Sequence, residues 1–210
     1  MLRKKLTGVI ITIGIMVSIL VPAASAANPN LLQDVRRGHW YFGAVQYVVN
    51  RELMVGTTNT TFSPNNTVTR GMFVQSLYGQ DGRSWVLNVR PSYTDVQVSD
   101  WYSNAVAWAK QKNIISGYDD GSFKPNAPIT REQMAAIMLQ YAKYKGMDTA
   151  PSGVLLGYGD ILEISPYAVA AMKWAVGHKL LAGTNRGLEP KSPATRAQVA
   201  VVLKAFNENF

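Results

Sequence analysis

The chain has 210 residues, 47% of them hydrophobic, which is enough for a packed core. It has no cysteine, so disulfides, thiol nucleophiles and thiolate metal sites are excluded together. The formal charge of +8 suits an anionic partner only weakly, since three of the 21 basic residues fall within the first five positions.

Arg3, Lys4 and Lys5 open the chain, followed by an apolar stretch from Leu6 to Val21 and the small-residue run Ala24-Ser25-Ala26. This predicts a secretory signal peptide over 1–26, cut after Ala26 or alternatively after Ala27. A retained anchor competes, but the stretch contains 16 residues and a permanent span usually needs about 20 predominantly apolar ones. No cysteine follows it, which excludes a lipid-modified anchor. Cleavage would remove three cations and no acids, leaving 184 residues at a formal charge of +5.

Beyond the leader the chain repeats itself. Asp34, Asp95 and Asp160 each stand 36 residues before Arg70, Arg131 and Arg196, and the starts are 61 and 65 residues apart. The predicted repeats are 27–80, 93–145 and 158–210. Linkers at 81–92 and 146–157 are rich in Gly, Pro and polar residues.

Each repeat begins with an amphipathic pattern: Ala44, Tyr47 and Val48, then Ala105, Trp108 and Ala109, then Ala171, Trp174 and Ala175. Apolar residues at i, i+3 and i+4 predict a helix with one buried face. Asp100 is the expected N-cap in the second repeat, and Pro166 after Ser165 is the expected first helical residue in the third. The helices end near Leu53, Ile114 and Leu180, ahead of Gly56, Gly117 and Gly183, which suit a cap or tight turn. Phe62, Phe123 and Leu188 then precede a proline by two positions and are expected to pack beneath a loop that the proline stiffens.

The loops end at Thr69-Arg70, Thr130-Arg131 and Thr195-Arg196. Apolar residues follow each arginine at three, four and seven positions, such as Phe73, Val74 and Leu77, so a second helix begins here with threonine as N-cap. Gln133 and Gln198 complete a capping box, whereas the first copy has Met72. A two-helix repeat cannot bury its apolar face alone, so the three are expected to pack on one another.

Arginine is an odd choice for a first helical residue. A cation there opposes the helix dipole by roughly 0.3–1 kcal/mol if exposed. Making that choice three times implies a compensating partner. One reading is an internal ion pair, or an arginine stem covering apolar surface. The other is an anion site built from the guanidinium fork and the helix N–H groups.

The succession Asp-Val, Trp-Tyr, an Ala-rich helix, a Gly turn, Phe-x-Pro-Asn and Thr-Arg resembles the S-layer homology (SLH) domain. Three copies cover roughly Leu31–Gly79, Tyr93–Tyr141 and Tyr158–Asn207. The resemblance implies a mainly α fold, three SLH units packed as a pseudo-three-fold assembly with the first helices in a central bundle. It also implies inter-repeat grooves holding the Thr-Arg motifs and non-covalent attachment to a secondary cell-wall polysaccharide, often pyruvylated. The residues so implicated are Arg70, Arg131, Arg196, Thr69, Thr130, Thr195, Trp40, Trp101, Gly56 and Gly117. The chain departs from the family's Thr-Arg-Ala-Glu in every copy: Met72, Gln133 and Gln198 replace Glu, and Gly71 and Glu132 replace Ala. Unequal grooves are expected, with Arg70 and Arg131 in the better ones.

Trp40 and Trp101 have two readings, a sugar-stacking platform or a core aromatic at the helix start. Asp34, Asp95 and Asp160 are expected to cap local turns rather than touch ligand. Asp119-Asp120-Gly121 lacks the ligand alternation of a calcium loop, and no metal or other cofactor is expected. A glycosidase would need two carboxyls flanking a bond; the repeated aspartates serve a repeated structural place, so no catalysis is expected. The leading reading is a wall-binding module at the cell surface. The alternative is a surface-layer structural or adaptor protein holding another protein at the wall. Export and the absence of a basic cluster beyond the leader disfavour nucleic acid.

Overall fold

The computed structural model describes residues 31–84, 86 and 93–210. The expected signal peptide and most of the first linker lie outside the described residues.

Among the described residues there are six α-helices, two per repeat. They are α1 (Phe42–Asn50), α2 (Arg70–Gln80), α3 (Ser103–Gln111), α4 (Arg131–Tyr144), α5 (Val169–Gly177) and α6 (Arg196–Asn209). No helix among the described residues is long and apolar enough to cross a membrane. The second helices start where the Thr-Arg pairs place them. Thr69, Thr130 and Thr195 each accept from the backbone N–H three residues on, at 3.3 Å. Gln133 and Gln198 close capping boxes as expected.

The first helices start differently. Asp100 does not cap α3; its carboxylate accepts from the Gln97 N–H at 2.8 Å inside the preceding turn, and α3 begins after Tyr102 without a side-chain cap. Pro166 opens a 3₁₀ turn (Pro166–Ala168) rather than α5 itself, which follows at Val169. Asp160 stands 11 residues before Ala171, against 10 from Asp34 to Ala44 and from Asp95 to Ala105, and the turn lies within that longer interval.

The helices pair between repeats. α2 packs on α3, α4 on α5, and α6 on α1, so each first helix lies against the second helix of another repeat and the last pairing closes the cycle. Trp108 of α3, fully buried, lies 5.4 Å from the Tyr78 ring of α2. The central bundle of first helices implied by the resemblance is not what the principal contacts show: no two first helices form an extensive pair. The apolar stripes of α1, α3 and α5 are covered by second helices instead.

At the centre the residues preceding the threonines form a closed backbone cycle. The Val68 N–H donates to the Ala194 carbonyl at 3.0 Å, Ala194 to Ile129 at 2.8 Å, and Ile129 to Val68 at 2.9 Å. All three side chains are fully buried. Each donor and acceptor in that dry centre thus has a partner, as burial requires.

Phe62, Phe123 and Leu188 are fully buried beneath their loops, as expected. The aspartates act over a longer range than a local turn. Asp34 accepts from the N–H groups of Phe62 and Ser63, Asp95 from Phe123 and Lys124, and Asp160 from Leu188 and Glu189, at 2.6–3.1 Å. Each ties the start of its repeat to its own Pro loop.

Candidate functional site: grooves between repeats

Each arginine reaches out of its own repeat. Arg70 Nε donates to the Phe123 carbonyl at 2.8 Å, Arg131 Nε to Leu188 at 2.7 Å, and Arg196 Nε to Phe62 at 2.7 Å. Arg131 Nη2 also donates to the Ala182 carbonyl at 2.7 Å, and Arg196 Nη2 to that of Val55. Two guanidinium groups lie over the ring beneath the loop, Arg70 4.6 Å from Phe123 and Arg196 4.4 Å from Phe62. Arg131 has Leu188 in that place and no ring. All three are buried, and none forms a salt bridge among the described residues. Burial pushes each guanidinium below the ordinary arginine value, with nearby tyrosines and acids partly opposing it at Arg70. An arginine stays charged nonetheless. The compensating partners inferred from sequence are therefore carbonyl oxygens and ring faces, not carboxylates.

The helix N–H groups are not available to an anion. Those of Arg70, Arg131 and Arg196 donate to the carbonyls of Ala127, Ser192 and Asn66, and those of Gly71, Glu132 and Ala197 to Pro125, Pro190 and Pro64. The third N–H of each helix goes to the threonine hydroxyl. An anion site made jointly of guanidinium and helix N–H groups is thereby reduced to the guanidinium, because the neighbouring Pro loop occupies the helix end.

Two of the arginines line open grooves. The first groove, about 640 Å³, brings Arg70 together with Gly117, Tyr118, Gln133, Gln140 and Tyr167. Tyr118 lies 5.0 Å from the Arg70 guanidinium and 4.1 Å from Lys124 Nζ, and its hydroxyl accepts from Gln133 Nε2 at 3.2 Å. The second groove, about 320 Å³, is more apolar and joins Arg131 to Trp40, Gly183, Thr184, Gln198 and Val202. Corresponding residues line the two, Gly117 with Gly183 and Gln133 with Gln198, so they are versions of one site.

The remaining predicted residues fall elsewhere. Arg196 and Gly56 line neither groove, though the Val55 carbonyl next to Gly56 holds Arg196. Trp40 and Trp101 are 68% and 62% exposed, so neither is a core aromatic; Trp40 borders the second groove and Trp101 borders neither. The three threonines lie in backbone bridges between repeats, Thr69 opposite Pro128, Thr130 opposite Pro193 and Thr195 opposite Thr67. Gly117 has φ +77°, and a Cβ on it would stand 2.3 Å from the Tyr93 ring; a Cβ on Gly183 would meet Tyr158 at the same distance. These glycines let Tyr93 and Tyr158 pack against the groove floor.

Sequence reasoning missed Tyr118, Tyr167 and Glu132. Glu132 sits buried at the first groove, accepting from the Ser165 N–H and hydroxyl at 2.9 Å, from Tyr167 at 3.2 Å and from Lys191 at 2.7 Å. Burial alone would raise its carboxyl, but the hydrogen bonds from Lys191 and Ser165 hold it below the usual value. Repeat alignment does single out Glu132 as the one acid among Gly71, Glu132 and Ala197. Its partners, from a different repeat, carry no sequence signal.

Helical repeats with buried cations lining clefts at two of their junctions, as Arg70 and Arg131 do, define a class, a repeat protein with its clefts at the joints rather than within a unit. The S-layer homology domain matches at residues 33–71, 92–135 and 157–200, and the chain belongs to that family. SLH domains are cell-wall-anchoring modules of S-layer and surface proteins. Similar proteins include an endoglucanase of Bacillus sp. (strain KSM-635), 30% identical over 97% of this chain and 22% of that protein. The Surface-layer 125 kDa protein of Lysinibacillus sphaericus is 28% identical over 94% of this chain and 16% of its own length. The S-layer protein sap of Bacillus anthracis is 24% identical over 99% and 25%. The chain spans about a quarter or less of the length of these relatives. Similarity to the endoglucanase is confined to that share, and no catalytic domain is shown.

Proposed function

We propose that this chain is a non-catalytic module that attaches to an anionic secondary cell-wall polysaccharide through its inter-repeat grooves. In this reading residues 1–26 direct export, the repeats occupy 27–80, 93–145 and 158–210 about a pseudo-three-fold axis, and the protein resides at the cell surface. The observation that carries it is Arg70. A buried guanidinium without a carboxylate partner among the described residues lines a 640 Å³ groove edged by hydroxyls and amides. A carboxylate, such as that of a pyruvate ketal on a sugar, would neutralise it, and Tyr118 or Trp40 would lie against the sugar face. By repeat register Arg196, Gly56 and Trp101 form the corresponding third place, where the Val55 carbonyl already engages the guanidinium.

The test is calorimetry with purified wall polymer before and after chemical removal of its pyruvate. Saturable binding that disappears with the pyruvate is expected; equal binding to both preparations refutes the ketal as ligand. Loss of the protein from pulled-down walls after extraction of the whole anionic polymer is expected too, and retention on bare peptidoglycan refutes the polymer. A second reading, a surface-layer structural or adaptor protein, is favoured by an exposed apolar face on the third repeat.

A further inference from the structure

The junction between the second linker and the third repeat carries an exposed apolar patch. Val154, Leu156 and Leu162 are 69%, 82% and 95% exposed, and with Val169 they rim a groove of about 410 Å³ lined below by Ile161 and Ile164. The other repeats are an internal control. Asp34 is followed by Val35-Arg36-Arg37 and Asp95 by Val96-Gln97-Val98, whereas Asp160 is followed by Ile161-Leu162-Glu163. Arg36 and Gln97 thus occupy the sequence place of Leu162, so two of the three repeats carry a polar side chain there. Contiguous apolar surface of this kind marks a contact with another molecule.

Both charge signs edge the patch. Glu163 is exposed beside Leu162, and Lys173 of α5 lines the groove. Neither forms a salt bridge among the described residues. We propose that this face is an isologous interface between two copies of the chain. A two-fold axis would set the apolar rim of one copy against that of the other and bring Glu163 of each to Lys173 of its mate. Opposite charges flanking one patch are the complementarity that a self-pairing surface needs, whereas a single sign would select a different partner. Three exposed side chains around one small groove fall short of the roughly 800 Å² per partner of a stable complex, so the dimer is weak in solution. Confinement to a surface raises local concentration, and paired copies double the grooves presented to a polymer. The pairing does not depend on what the grooves bind.

Sedimentation equilibrium of the purified protein from about 1 μM to about 1 mM tests this. A reversible monomer–dimer equilibrium is expected, and Leu162→Asp, at a side chain that packs on nothing, abolishes it with the circular dichroism spectrum unchanged. Glu163→Lys and Lys173→Glu alone each weaken dimerisation by about tenfold, and together restore it to within about threefold of the original. A monomer at every concentration, an intact dimer in Leu162→Asp, or a double variant no tighter than the single ones overturns the proposal.

Discussion

Arg131 combines two duties in one side chain. Its Nε and Nη2 groups hold two carbonyls of the third repeat, and the same guanidinium lines the second groove. Arg131→Ala therefore orphans buried acceptors, at about 1–3 kcal/mol each, so thermal denaturation will show a clear loss of stability alongside any loss of binding. Trp40 separates the two effects, because its ring is largely open to solvent. Trp40→Ala is expected to leave the melting temperature unchanged within about 0.5 kcal/mol of stability. In the same variant, affinity for wall polymer measured by calorimetry should fall by about fivefold or more if the ring carries a stacking contact. Gly117→Ala goes the other way: positive φ and the 2.3 Å approach to Tyr93 make it destabilising. Such residues were legible as a turn glycine and a Thr-Arg signal; that Tyr93 rests on Gly117 was not, since nothing in a linear pattern records which ring covers which turn.

The second helices were the most legible elements. Threonine caps, capping boxes and apolar stripes are all encoded in one short continuous segment, as from Thr130 to Met138. Thr130→Ala should cost about 1 kcal/mol, read as a lowered midpoint in urea, because both its hydroxyl and the answering Gln133 side chain take part. The first helices were less legible at their starts, where Asp100 and Ser165 engage turns and another repeat rather than helix ends. The contacts at Glu132 and Asp160 give these segments a pH dependence. Burial raises both carboxyls, but hydrogen bonds, from Lys191 and Ser165 at Glu132 and from backbone N–H groups at Asp160, bring the net values below the ordinary range. Stability from each is full above the unfolded-state value, near pH 4, and is lost as pH falls through the lower folded value. Acid unfolding followed by circular dichroism should therefore steepen below about pH 4, and Glu132→Gln should flatten that limb. At the alkaline end partial burial, together with the Glu132 carboxylate that its hydroxyl donates to, pushes Tyr167 up to about 12. The unfolded chain ionises its tyrosines first, near pH 10, so stability declines from there upward.

Across the whole molecule the cyclic pairing makes the repeats interdependent. Truncation after the second repeat removes α5 from α4 and α6 from α1, and it opens the Val68–Ile129–Ala194 cycle. Such a fragment is expected to lose its cooperative melting transition, whereas the full chain melts in one step by near- and far-ultraviolet circular dichroism alike. A fragment that kept a sharp transition would mean that two-helix repeats are stable on their own. The three-fold recurrence of Asp, Gly, Pro and Thr-Arg determined the family, the helices and the arginines as the unusual cations, because those features are written in local spacing. Tertiary structure alone decided that first helices pair with foreign second helices, that Pro loops seal the helix N-termini against anions, and that Arg70 and Arg131 line open clefts. Those outcomes depend on contacts between residues of different repeats, such as Tyr78 with Trp108 and Arg70 with Phe123, and spacing within a repeat has no term for which neighbour completes it.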